Sequence, residues 1–146
     1  MKLRKAKISD LSQINKLNKK YFKEIRDFKF LLSSKNDILV VFENEKEIIA
    51  FSGIHLNKWN NTARVIDIFV HPEYRRQGLA DKLVAELKNL AKSKKVRTLI
   101  AEAPSRNPVL KLYKKNGFRK CGYDDRYYSN GAKEIAIFLS FDFIKL

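Results

Sequence analysis

Val70-His71-Pro72-Glu73-Tyr74-Arg75-Arg76-Gln77-Gly78-Leu79-Ala80 is the stretch on which the reading of this sequence turns. It closes a strand-like hydrophobic run, Arg64 to Val70, at a proline, and it ends in a glycine where an amphipathic helix starts. That helix carries Leu79, Leu83, Val84, Leu87 and Leu90 on one face and Asp81, Lys82, Glu86, Lys88 and Lys92 on the other. Backbone N–H groups at a helix start, the positive end of the helix dipole and the guanidinium groups of Arg75 and Arg76 then meet at one spot. Such a spot suits a phosphate-bearing ligand. The stretch is not a Walker A loop, which needs Gly-x-x-x-x-Gly-Lys followed by Ser or Thr. It also lacks the glycines of a dinucleotide fingerprint. What remains is a pyrophosphate cradle built from the N–H groups of about Arg76 to Asp81, with Gly78 permitting close backbone approach.

Reading outward, Lys2 to Ile8 alternates as a first strand, Ser9 is a candidate N-cap, and Leu11, Ile14, Leu17 and Tyr21 recur at helical spacing. A second helix is expected over Phe22 to Leu32, then a hairpin of Asp37 to Glu43 and Glu47 to Leu56 around a polar turn. Trp59 falls at the tip of the next hairpin, before the strand Ala63 to Val70. Beyond the amphipathic helix come a strand, Val96 to Glu102, and a short helix opened by Pro108 and stopped by Asn116-Gly117. Phe118 to Tyr123 and Lys133 to Phe143 read as the last two strands. The order is β-α-α-β-β-β-α-β-α-β-β, an α/β (α+β) chain with helices packed on a mixed sheet.

At 146 residues, 45% hydrophobic and 32% charged, the chain is expected to form a single domain over 1–146. No apolar run reaches the ~18–20 residues of a membrane span, and no apolar core follows the basic N-terminus. One cysteine excludes an intramolecular disulfide framework, and Cys121 reads as a small buried hydrophobe. A cytoplasmic location follows as an expectation. The net charge of +15 favours anionic partners, although lysines spread along the whole chain also fit a merely Lys-rich composition. No run of like charge forms a nucleic-acid tail, so nucleic acid is not expected as substrate. His55 and His71 share no ligand spacing with other residues, and no metal site is expected.

A second signature, Leu112-Tyr113-Lys114-Lys115-Asn116-Gly117-Phe118, follows one strand and one helix after the first. Together the two resemble the GNAT superfamily, the Gcn5-related N-acetyltransferases, in order and in spacing over nearly the whole chain. The resemblance implies a mostly antiparallel seven-stranded mixed sheet flanked by about four helices. It also implies acetyl-CoA as co-substrate and direct transfer to an amine without an acyl-enzyme. Ile68, Phe69 and Val70 would then pair with the pantetheine arm where the fourth strand splays from the fifth. Arg75, Arg76, Gln77, Gly78, Leu79, Ala80 and Asp81 would hold the pyrophosphate. Tyr113 would protonate the departing thiolate, against the plainer role of a core aromatic.

The acceptor ammonium must lose a proton before it attacks. Glu102 falls where the ribosomal-protein alanine acetyltransferases carry their catalytic glutamate, and Asp67 is the competing base; a water relay is the third route. The family's asparagine seven residues before the acid tyrosine is Arg106 here; Asn107, six before it, is expected to take the pantetheine contact if the loop is one residue shorter. Arg126-Tyr127-Tyr128-Ser129-Asn130-Gly131 resembles the loop with which N-terminal protein acetyltransferases grip a peptide's first residues. The leading expectation is therefore an N-acetyltransferase acting on a protein N-terminal α-amine, as monomer or homodimer. The alternatives are a small-amine acetyltransferase (polyamine, amino acid or aminoglycoside-like) and a non-catalytic acyl-CoA-binding module.

Overall fold

The computed structural model of the chain describes residues 1–22, 25–128 and 134–144. The elements run β1 (Lys2–Lys5), α1 (Leu11–Tyr21), α2 (Phe28–Ser33), β2 (Asp37–Asn44), β3 (Glu47–Asn57), β4 (Thr62–Val70), α3 (Leu79–Ser93), β5 (Thr98–Pro104), α4 (Val109–Lys115), β6 (Arg119–Asp124) and β7 (Ala136–Asp142). The strands form one seven-stranded sheet in the order β1-β2-β3-β4-β5-β7-β6. Pairing is antiparallel for β1–β2, β2–β3, β5–β7 and β6–β7, and parallel for β4–β5 through Ala63–Leu99 and Arg64–Ile100. This is the expected element order, with single 3₁₀ turns added at Ile8–Asp10 and Pro72–Tyr74.

Two compact units divide the chain. One comprises Met1–His55 and Ile66–Leu83; the other comprises Leu56–Val65 and Val84–Leu146. In the first, Glu45 and Lys46 hold φ of +49° and +69°, the left-handed pair that closes a two-residue hairpin between β2 and β3. Ile14 from α1 and Phe28 from α2 cover Leu39, Val41, Ile48, Phe51, Ile66 and Phe69 in one apolar cluster. The start of α1 differs from expectation. Asp10, not Ser9, organises it: its carboxylate accepts from the Lys7 N–H at 2.7 Å and from both Arg4 terminal nitrogens at 2.8 and 2.9 Å. That guanidinium, more than anything else, holds the Asp10 carboxyl below the usual carboxylate range. The second helix also starts later than Phe22, at Phe28, because Asp27 accepts from the Phe30 N–H at 3.0 Å and caps it there; Lys23 and Glu24 lie outside the described residues.

In the second unit β5 is flanked by β7 along its length, with Glu102 opposite Phe138. The end of α4 is a Schellman motif. The Phe118 N–H donates to the Tyr113 carbonyl at 3.0 Å and the Gly117 N–H to the Lys114 carbonyl at 3.1 Å, with Gly117 at φ +89°. The accompanying apolar contact is the Tyr113–Phe118 ring pair, 5.2 Å between centroids. Lys88 adds a cation at that helix end, donating to the Asn116 carbonyl at 2.9 Å. Cys121 is a correction to the sequence reading: it is exposed, because β6 is the sheet's terminal strand, and it accepts from the Ser140 hydroxyl at 3.4 Å. Trp59 sits in the β3–β4 turn, 87% exposed. Among the described residues no helix is long and apolar enough to cross a membrane.

Candidate functional site

The basic turn is built by its own backbone. Pro72–Tyr74 makes one 3₁₀ turn, His71 Nδ1 accepts from the Glu73 N–H at 3.2 Å, and the Arg75 Nε donates to the Val70 carbonyl at 3.0 Å. Arg75 is thus partly spent on closing the turn rather than wholly turned to a ligand. Arg76 and Gly78 then take positive φ, +63° and +77°. The Gly78 carbonyl accepts from the Lys82 N–H at 3.1 Å, so α3 begins directly after it and Leu79 and Ala80 present N–H groups that the helix itself does not use. A Cβ at Gly78 would meet no protein atom within 4 Å. Space of that kind, at the N-terminus of a fifteen-residue helix and beside two arginines, fits a bound pyrophosphate. Arg75, Arg76, Gln77 and Gly78 are exposed, Leu79 is buried and Ala80 and Asp81 are half-buried.

Upstream, Asp67 holds φ of +36° within β4, a local break in the extended backbone, and the buried Ser52 hydroxyl donates to its carbonyl. Its carboxylate accepts from the Arg26 Nε at 2.6 Å and Nη2 at 3.1 Å. Both oxygens of the competing base are therefore engaged by a guanidinium. Beyond this break lie Ile68, Phe69 and Val70, of which Phe69 is buried and its neighbours half-buried.

In the other unit, Glu102 is half-buried on β5 and its Oε2 accepts from the Tyr128 hydroxyl at 2.8 Å. Burial, and then that bond, push the Tyr128 phenol well above its ordinary range, so it stays a donor. Tyr113 is buried, 4% exposed, on the last turn of α4. Asn107 is exposed and its Oδ1 accepts from the Val109 N–H at 2.9 Å, which sets the start of α4. Its side-chain oxygen is thus used locally, and Arg106 beside it is exposed. Ser129 to Lys133, the remainder of the tyrosine loop, lies outside the described residues. Sequence reasoning missed Arg26 and Arg64, whose partners are 41 and 63 residues distant in the chain. Among the described residues no group of three or more His, Cys, Asp or Glu side chains could hold a metal ion.

The chain is similar to known proteins in sequence and in fold. A candidate ribosomal protein bS18-alanine N-acetyltransferase of Bacillus subtilis (strain 168) is 30% identical over 99 residues, which cover 67% of this chain and 64% of that protein. The matched stretch spans less than two thirds of the length of the curated relatives, and as little as 12% of one. Among solved structures, the ribosomal-protein-S18-alanine N-acetyltransferase of Escherichia coli superposes with a TM-score of 0.84 at 21% identity, covering 99% of this chain and 95% of that one. A candidate streptothricin acetyltransferase of Bacillus anthracis str. Ames, solved with acetyl coenzyme A, gives 0.80 at 24% identity, covering 97% and 99%. Both share the fold. Residues 6–118 of the chain match the acetyltransferase (GNAT) family. The chain belongs to the acetyltransferase (GNAT) family.

Proposed function

We propose that this chain, acting as one acetyltransferase domain over 1–146, moves the acetyl group of acetyl-CoA directly onto a primary amine, with a polypeptide N-terminal α-amine as the preferred acceptor. The observation that carries the acceptor half is the hydrogen bond from Tyr128 to Glu102. A carboxylate that is half-buried and held by a phenol from the tyrosine loop is oriented for proton transfer, whereas Asp67 is occupied by Arg26. The co-substrate supplies an activated acyl group, and the open backbone at Gly78 and the start of α3 supports pyrophosphate binding there. Backbone groups of Ile68 to Val70 bind the pantetheine arm, and Arg75 to Asp81 bind the pyrophosphate. Asn107 contributes through its amide nitrogen, its oxygen being used in the α4 cap.

The chemistry asked of the chain is three proton movements. Glu102 takes a proton from the acceptor ammonium, directly or through water, so that the nitrogen lone pair forms the new C–N bond. As the C–S bond breaks, Tyr113 gives its hydroxyl proton to the sulfur, and the second nitrogen proton, released as the amide forms, restores the phenol directly or through water. A bisubstrate geometry needs no covalent enzyme intermediate. The names of the bS18 and S18 relatives support an alanine-first peptide as the first acceptor to try. The second reading, a small-molecule amine, has support in the streptothricin acetyltransferase relatives. The chain's charge of +15 weighs against polycationic acceptors. The test is turnover with wild type and Tyr113→Phe on alanine-first peptides and on spermidine. Peptide turnover that falls in kcat while acetyl-CoA affinity holds supports the reading; turnover on spermidine alone overturns the peptide assignment.

A further inference from the structure

Arg64 takes no part in the scheme above, yet it anchors the group of side chains that holds Glu102. Arg64 pairs with Ile100 across β4 and β5, Ile100 and Glu102 share a face of β5, and Glu102 pairs with Phe138 on β7. Arg64, Glu102 and Phe138 therefore stand on one face of the sheet. The Arg64 Nη2 donates to the Tyr127 hydroxyl at 2.8 Å. Its guanidinium carbon also lies 5.6 Å from the Tyr127 ring centroid and 5.7 Å from that of Phe138. Tyr127 stands edge-on to Phe138 at 5.4 Å and to Tyr128 at 5.2 Å. Tyr128 completes the chain of contacts by donating to Glu102 Oε2.

We propose that Arg64 is a positioning residue for acceptor activation: it fixes Tyr127, Tyr127 fixes Tyr128, and Tyr128 holds Glu102 so that Oε1 is the oxygen that takes the amine proton. The proposal rests on the reading of Glu102 as the base. A strand is a stiffer mount than a loop, so a guanidinium on β4 gives the two tyrosines a fixed reference. Planarity matters as well as charge, because one fork both donates to a phenol and stacks over two rings, which a lysine ammonium cannot reproduce.

The test is a double-mutant cycle on an alanine-first hexapeptide, with kcat and KM measured for wild type, Arg64→Leu, Arg64→Lys, Tyr128→Phe, the Arg64→Leu/Tyr128→Phe double variant and Glu102→Gln. Acetyl-CoA affinity and melting temperature are measured alongside. Tyr128→Phe is expected to lower kcat by about tenfold, the size of one charge-assisted hydrogen bond. Arg64→Leu is expected to lower kcat by about three- to tenfold, with KM and acetyl-CoA affinity moved less, and Arg64→Lys is expected not to restore it. The double variant is expected to fall no further than Tyr128→Phe alone, because both changes release the same carboxylate. Losses that multiply, or an Arg64→Leu enzyme with wild-type kcat, overturn the positioning role while leaving Glu102 as base if Glu102→Gln is impaired. Wild-type turnover in Glu102→Gln overturns the base and the positioning role together.

Discussion

Gly78 and Gly117 offer a matched pair of perturbations, because both hold positive φ, +77° and +89°, in opposite surroundings. Alanine at either position costs about 1–2 kcal/mol of left-handed backbone strain. At Gly117, itself exposed, the new Cβ would also sit 3.0 Å from Cε2 of the half-buried Phe141, a tight contact that the ring must give way to relieve. That adds about 1 kcal/mol, the low end for overpacking, because neither residue is fully buried. At Gly78 the Cβ meets no protein atom within 4 Å, so the strain is the whole cost to folding. At about 3 °C per kcal/mol, Gly117→Ala is expected to lose roughly 6–9 °C in Tm and Gly78→Ala roughly 3–6 °C. Ligand affinity reverses the ranking. The Gly78 Cβ occupies the space assigned to pyrophosphate, and a loss of about 1.4 kcal/mol or more raises the Kd for acetyl-CoA at least tenfold. Gly117→Ala keeps that Kd within about twofold, since it touches only the α4 terminus and Phe141. Calorimetric titration with acetyl-CoA below both melting points, with thermal melts of the free proteins, reads both quantities. A Gly78→Ala protein with wild-type affinity, or a Gly117→Ala protein weakened as much as Gly78→Ala, refutes the cradle argument.

Asp10→Asn leaves the Arg4 guanidinium with the Lys5 carbonyl at 3.1 Å and the longer Glu43 contact at 3.4 Å, and is expected to cost about 2–3 kcal/mol, read by urea unfolding at pH 7. Because the folded-state Asp10 carboxyl is held below its ordinary value, the stabilisation is present above the unfolded pKa and is lost as pH falls through the folded one. The gap between wild type and Asp10→Asn should therefore narrow on acidification; a constant gap would remove the ion pair as its source. Asp67→Asn is expected to keep kcat within about threefold while Glu102→Gln loses it, and the reverse ranking in steady-state assays would make Asp67 the base. Cys121 is expected to react with a chromogenic disulfide reagent in the native protein, giving one thiol within minutes; reaction only after denaturation would return it to the interior.

Elements whose signals are local were readable from the sequence. The α3 stripe, the Gly117 stop with its tyrosine and phenylalanine, and the β2–β3 hairpin each depend on residues a few positions apart, and each formed where expected. The start of α2 was misread because apolar spacing from Phe22 onward hid the Asp27 cap, a signal that is present at one residue only. Cys121 was misread because its exposure is decided by the rank of β6 in the sheet, which hydropathy does not encode. The same holds for the candidate site. Gly78 and the basic turn were legible, but Arg26 on Asp67, Arg64 on Tyr127 and Tyr128 on Glu102 join a strand residue to a connecting segment distant in sequence, which no local pattern encodes.

The most direct test of the central claim is release of free CoA from acetyl-CoA in the presence of alanine-first peptides and small amines, with wild type and Tyr113→Phe side by side. The account predicts peptide-dependent release by wild type and a kcat lowered at least a hundredfold in Tyr113→Phe, with acetyl-CoA affinity unchanged. Equal rates in the two proteins, or tight acetyl-CoA binding with no release on any amine, would contradict it.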